Sequence, residues 1–78
     1  MALITDAATG WSSPITLSAD EIWQTRKGSI FLTTTATPDP NDGIQLNEGN
    51  AVQLAAGSSV RYRKAGPSEA WVVRETVG

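Results

Sequence analysis

The chain has 78 residues, no cysteine and no histidine, 18% charged residues and a net charge of −2. That length holds one domain with a modest core. The missing thiols and imidazoles exclude disulfides and thiolate sites and leave only oxygen ligands, which suit magnesium or calcium rather than zinc. The acidic balance lacks the basic footprint of a nucleic-acid binder, and no apolar run is long enough to span a bilayer.

Residues 1–13, "MALITDAATGWSS", read as an N-terminal arm, irregular or ordered only by contact with a neighbour. The arm has no basic n-region and carries Asp6 inside its apolar stretch, so it does not read as a secretory signal. Residues 14–78 read as a single domain. After Pro14, "ITLS" places Ile15 and Leu17 on one face of a short strand. "SADE" has the spacing of a capping box, but no helical pattern follows it, and a polar turn is the better reading. "EIWQTRKG" and "SIFLTTTA" flank Gly28 and read as a hairpin or as two successive strands. Ile30, Phe31 and Leu32 are consecutive and apolar, the pattern of a strand covered on both faces.

"ATPDPNDG" is a loop stiffened by Pro38 and Pro40. "GIQLN", "AVQLAAG", "SVRYRKA" and "AWVVRETV" then alternate apolar and polar residues between glycine-containing breaks. Val52, Leu54, Val60 and Tyr62 are candidate core residues, and Trp71 is expected there too. Val73 shares the Trp71 face, opposite Val72 and Arg74. About seven short strands and no long helix predict an all-β chain, a small antiparallel β-sandwich or barrel with an irregular N-terminal arm.

The chemistry-bearing residues are sparse. Asp20 and Glu21 are adjacent, so a strand points them to opposite faces. Asp39 and Asp42 lie in the proline loop, and the serines have no histidine partner or nucleophile-elbow spacing. No catalytic residue and no cofactor is expected. "DPNDG" falls one residue short of the calcium-loop spacing and lacks flanking helices, so it reads as a stiff turn, with a weak calcium site as the alternative. The remaining candidates are for contact. Arg61 and Arg63 project from one strand face, and Arg26 and Arg74 on neighbouring strands would extend them into a positive strip. The competing reading pairs these cations with Glu21, Glu69 or Glu75 across strands. Trp11 in the arm and one of Ile22 and Trp23 are candidate interface residues, since exposed aromatics anchor interfaces. The candidate interface set is therefore Trp11, Trp23, Arg61, Arg63 and Arg74. With no disulfide or metal to staple so small a core, self-association or docking onto a larger assembly is expected.

The segments "ITLSADEIWQTRKGSIFLTTTATP", "DGIQLNEGNAVQLAAGSSVRYRKAG" and "AWVVRE", spanning residues 14–76, resemble small β-sandwich virion structural proteins of tailed bacteriophages. The resemblance implies a non-enzymatic particle component. It would be a capsid decoration (cement) protein, a head fibre, or a tail or baseplate part, the last with a receptor- or carbohydrate-binding role. It further implies a homo-oligomer, a trimer above all, with the major capsid protein or other virion proteins as partners and neither nucleic acid nor membrane. Its place would be the virion, assembled in the cytoplasm of the bacterial host. No functional residue carries over, because the resemblance offers no catalytic signature to match.

Overall fold

The computed structural model describes residues 2–39 and 42–77. Among these the chain forms eight strands and no helix: β1 (Ala2–Ile4), β2 (Ile15–Thr16), β3 (Glu21–Lys27), β4 (Ile30–Thr33), β5 (Ile44–Leu46), β6 (Ala51–Leu54), β7 (Ser59–Lys64) and β8 (Trp71–Thr76). They make two antiparallel four-stranded sheets, ordered β1-β8-β3-β6 and β2-β7-β4-β5, packed as a sandwich.

The order has a simple origin. β4 pairs with β5, β3 with β6, β2 with β7 and β1 with β8, each pair of numbers adding to nine. The chain is thus one long hairpin with its tip at the proline loop between β4 and β5. Rolling it sends successive pairs alternately to the two sheets, and β8–β3 and β7–β4 pairings then close each sheet. This is the jelly-roll winding, which leaves only short edges. None of the four edge strands exceeds four residues, which limits edge-to-edge aggregation.

The winding decides one open expectation and revises another. β3 and β4 are successive strands in different sheets and not a hairpin, so the chain at Gly28 crosses between layers. The arm is not wholly irregular, because Ala2–Ile4 pairs with Arg74–Val72 of β8 as an eighth strand. Beyond it the arm runs beside β7: Ser12 N–H donates to Tyr62 O at 2.9 Å, and Lys64 N–H donates to Ala8 O at 2.8 Å. The polar corner at Ser18–Asp20 is a bend, as its turn chemistry suggests.

The core between the sheets is built from Leu17, Trp23, Ile30, Leu32, Leu46, Val60, Tyr62, Ala70 and Val72, with Val52 and Leu54 packed on its margin. Trp23 and Tyr62 meet across the sandwich with ring centroids 6.1 Å apart and a 58° tilt, a favoured aromatic arrangement. Thr25 is fully buried yet satisfied, its hydroxyl donating to Leu46 O of the opposite sheet at 3.0 Å. Trp71 is not a core residue. It shares a face with Val73, as the alternation implies, but the register sets Val72 opposite Thr25 and Arg74 opposite Trp23, so the other face of β8 turns inward.

Gly43, at the end of the proline loop, has φ +100°, and a Cβ there would meet Leu32 O and the Trp11 ring, both at 2.9 Å. Gly43→Ala therefore combines left-handed backbone strain with a clash against β4. A loss of about 1–3 kcal/mol is expected, read as a lowered urea midpoint. Gly10→Ala, where nothing lies within 4 Å of the added Cβ, is the matched control and should change the midpoint little.

Candidate interaction surfaces

The sandwich separates the residues singled out in the sequence into two groups. Arg61 and Arg63 alternate with the core residues Val60 and Tyr62 on β7, so they lie on the outer face of the second sheet. Arg74 and Trp23 lie on the inward face of the first sheet, and exposed Arg26 projects from β3 in that same sheet. The four arginines therefore do not form one positive strip, because two separate sheets carry them.

On the second sheet the arm closes over the outer face. The Arg63 guanidinium lies 4.3 Å from the Phe31 ring centroid and 5.2 Å from that of Trp11, so it is stacked between strand β4 and the arm. A planar guanidinium suits such stacking, where an ammonium would remain a hydrated point charge. The Trp11 indole N–H donates to Asp39 O at 3.0 Å, which ties the arm to the proline loop. Arg61 Nη1 donates to Ser12 O at 3.1 Å, and the Ser12 hydroxyl accepts from Tyr62 N–H at 3.1 Å. Trp11 is thus a clamp within its own chain and not a free anchor. Sequence reading left it without a core because its partners lie in loop and strand far along the chain. The same loop is the candidate calcium turn. Asp39 N–H donates to the Asp42 carboxylate at 2.8 Å, and Pro40 and Asn41 lie outside the described residues.

Beside the clamp is an open hollow of about 340 Å³, lined in part by Asp6, Trp11, Ser12, Ser13 and Tyr62. The Tyr62 hydroxyl donates to Asp6 Oδ1 at 2.9 Å. Burial, and then the bond to Asp6 and its negative charge, pushes the Tyr62 phenol up to about 12. A phenol raised in the folded state keeps its proton where the unfolded chain has lost it, so stability falls as pH rises from about 10 towards 12. An unfolding free energy that declines across that window is expected. In Tyr62→Phe the decline should flatten, and an unchanged alkaline slope in that variant would contradict the assignment. Asp6 gave no sequence signal, because its partner lies 56 residues away.

The second group sits at the rim between the sheets. Glu21 accepts from Arg74 Nε at 2.9 Å and Nη2 at 3.0 Å, and from Trp23 Nε1 at 3.0 Å. The Arg74 guanidinium also lies 5.0 Å from the Trp23 ring centroid. Of the two β3 neighbours, Trp23 is 0% exposed and Ile22 41% exposed. Trp23 is therefore a core residue, and Arg74 is held by Glu21 within the chain. Glu21 is covered by its neighbours although it stands at the rim, beside a shallow opening lined by Ala2, Arg74 and Thr76. Its role had a sequence signal in its period-two spacing from Trp23, which puts both on one face.

Trp71 lies on the outer face of the first sheet, with the Lys27 ammonium 4.7 Å from its centroid and Glu69 Oε2 3.6 Å from that ammonium. The Glu69 carboxyl is held below the usual range, first by the Trp71 indole N–H and further by Lys27 and Lys64, against the opposing effect of desolvation. The buried indole N–H makes no hydrogen bond of proper geometry, so we read its pull on Glu69 as a dipole acting at short range. The ion pair itself is exposed and contributes little to stability.

No protein-family model matches the chain, and no curated protein matches it in sequence.

Proposed function

We propose that the chain is a structural component of a tailed phage-like particle. It acts by protein–protein contact as an oligomeric capsid decoration protein that binds the major shell protein. The observation that carries this reading is the rolled-hairpin β-sandwich, whose N-terminal arm is folded back and clamped so that the block presents broad, rigid sheet faces. Jelly rolls recur in viral capsid domains, and this support is an analogy of fold, which hosts many functions. The resemblance of residues 14–76 to phage virion proteins points the same way. The test is quantitative mass spectrometry of purified particles. A copy number comparable with that of the major shell subunit is expected, and absence from particles overturns the reading.

A second reading, a tail, baseplate or fibre part that binds carbohydrate, draws on the hollow at Trp11. An aromatic ring, the Asp6 carboxylate and the hydroxyls of Ser12 and Ser13 converge there, the groups that stack on a sugar ring and accept or donate to its hydroxyls. It requires glycan-array binding that Asp6→Asn abolishes and a copy number of only a few per particle.

A further inference from the structure

The two outer faces of the sandwich are finished differently. The arm, Arg63 and Phe31 cover the second sheet, whereas on the first sheet Lys27 lies over Trp71 and Leu3, Ile22 and Val77 stay open. Four large apolar side chains stand exposed among the described residues, and three of them are on the outer face of the first sheet. Leu3 (47%) lies opposite Val73, Ile22 (41%) lies opposite Glu75, and Val77 (39%) continues the outward alternation of β8. Val73, itself only 7% exposed, sits mid-face beneath them, and half-buried Trp71 lies in the row of Lys27. A large apolar patch rimmed by polar residues marks an interaction site.

The charges on this face are arranged for a copy of itself. Glu75 stands at one end, in the row of Ile22. Arg26 stands at the other end, where β3 carries an irregularity that sets both Arg26 and Lys27 against Trp71. Such a bulge re-aims side chains, and Arg26 is exposed next to inward-facing Thr25. Lys27 is engaged by Glu69, and neither Arg26 nor Glu75 has an ion-pair partner among the described residues. A two-fold axis lying in the plane of the face, across the line from Glu75 to Arg26, brings each arginine over the glutamate of the second copy. The match is made twice, as an isologous contact requires. The molecule's longer extents, 34 and 26 Å, bound a face of roughly 900 Å², against about 800 Å² per partner in a standard interface.

We propose that two copies of this chain associate through the outer face of the first sheet, sheet on sheet, with the exposed side chains of Leu3, Ile22 and Val77 as its apolar contacts and reciprocal Arg26–Glu75 pairs at the ends. The proposal rests on the contact-protein reading only in taking such a protein to need a partner. The pairing is two-fold, so a three-fold particle component would use it to join two trimers and not to build one.

Sedimentation velocity of the purified chain over a wide concentration range tests it. The unaltered chain should dimerise reversibly. Ile22→Ser should weaken the dimer about tenfold or more, as loss of an apolar anchor does. Arg26→Glu should weaken it likewise, and adding Glu75→Arg should restore it. All three positions are exposed, so circular dichroism should show unchanged folding in every variant. A chain monomeric at every concentration, a trimer insensitive to Ile22→Ser, or a charge-swapped pair that fails to recover would each overturn the proposal. Particle incorporation is read separately. A chain abundant in particles but monomeric alone overturns the dimer and leaves the particle reading standing, and a dimer absent from particles does the reverse.

Discussion

Trp23→Ala is expected to leave the chain largely unfolded under conditions where the parent chain is folded. Trp23 is 0% exposed, and truncating a buried tryptophan costs about 3–5 kcal/mol through lost transfer energy and the cavity left behind. A domain of this length has a total stability of only about 4–12 kcal/mol, so one residue holds about a quarter or more of it. The side chain also joins elements that nothing else joins in the same way. It packs against Tyr62 of the opposite sheet and donates to Glu21, while the Arg74 guanidinium lies over its ring. A thermal midpoint lowered by roughly 15 °C or more is expected, at about 4–8 °C per kcal/mol for a domain of this size. Trp23→Phe keeps a ring against Tyr62 and should lose markedly less. A Trp23→Ala midpoint within a few degrees of the parent would show that the core is not organised around this residue.

The second large effect is expected at Arg74. Removing the guanidinium in Arg74→Ala leaves the covered Glu21 carboxylate with the Trp23 N–H as its one remaining side-chain donor among the described residues. Loss of a charged hydrogen-bonding partner costs about 1.5–3 kcal/mol. The lower half of that range is expected here, since solvent reaches the rim through the opening beside Thr76. The effect carries a pH signature. In the parent chain the Glu21 carboxyl is held below its ordinary value by the bond to Arg74 and by Trp23, against the opposing effect of burial. Its contribution to stability is therefore present above the carboxyl value of the unfolded chain and is lost as pH falls through the lower folded value. Without Arg74 the carboxyl pKa rises, so the deficit of Arg74→Ala relative to the parent should shrink as the solution is acidified. Urea unfolding at neutral and acid pH measures this, and a deficit independent of pH would assign the loss to packing alone. A double-mutant cycle with Glu21→Gln isolates the pair from its surroundings.

These two positions show how far the sequence could be read. The alternation in "EIWQ" announced that Trp23 and Ile22 face opposite ways, but not which one faces the core. In "AWVVRE" the same alternation groups Trp71 with Val73 and Val72 with Arg74, but so apolar a run does not tell which group faces the other sheet, and Trp71 lies outside the core where the run suggests it. Glu21 was among the three carboxylates weighed as partners for the arginines, and the structure brings it to Arg74 across 53 residues. Trp11 was legible as an aromatic without a local core. That its ring would lie against Arg63 and Gly43 was not.

What the sequence determined by itself was local: the β class, the turn positions, the two-residue alternation of each strand and the absence of thiol and imidazole chemistry. These follow from backbone sterics and side-chain type within a few residues of one another. The tertiary structure alone decided which face of each strand is buried, that the arm clamps its own sheet, and which charges meet and which are left facing outward. Each of these depends on the register between strands far apart in the chain, and a shift of one residue there turns every side chain to the opposite face.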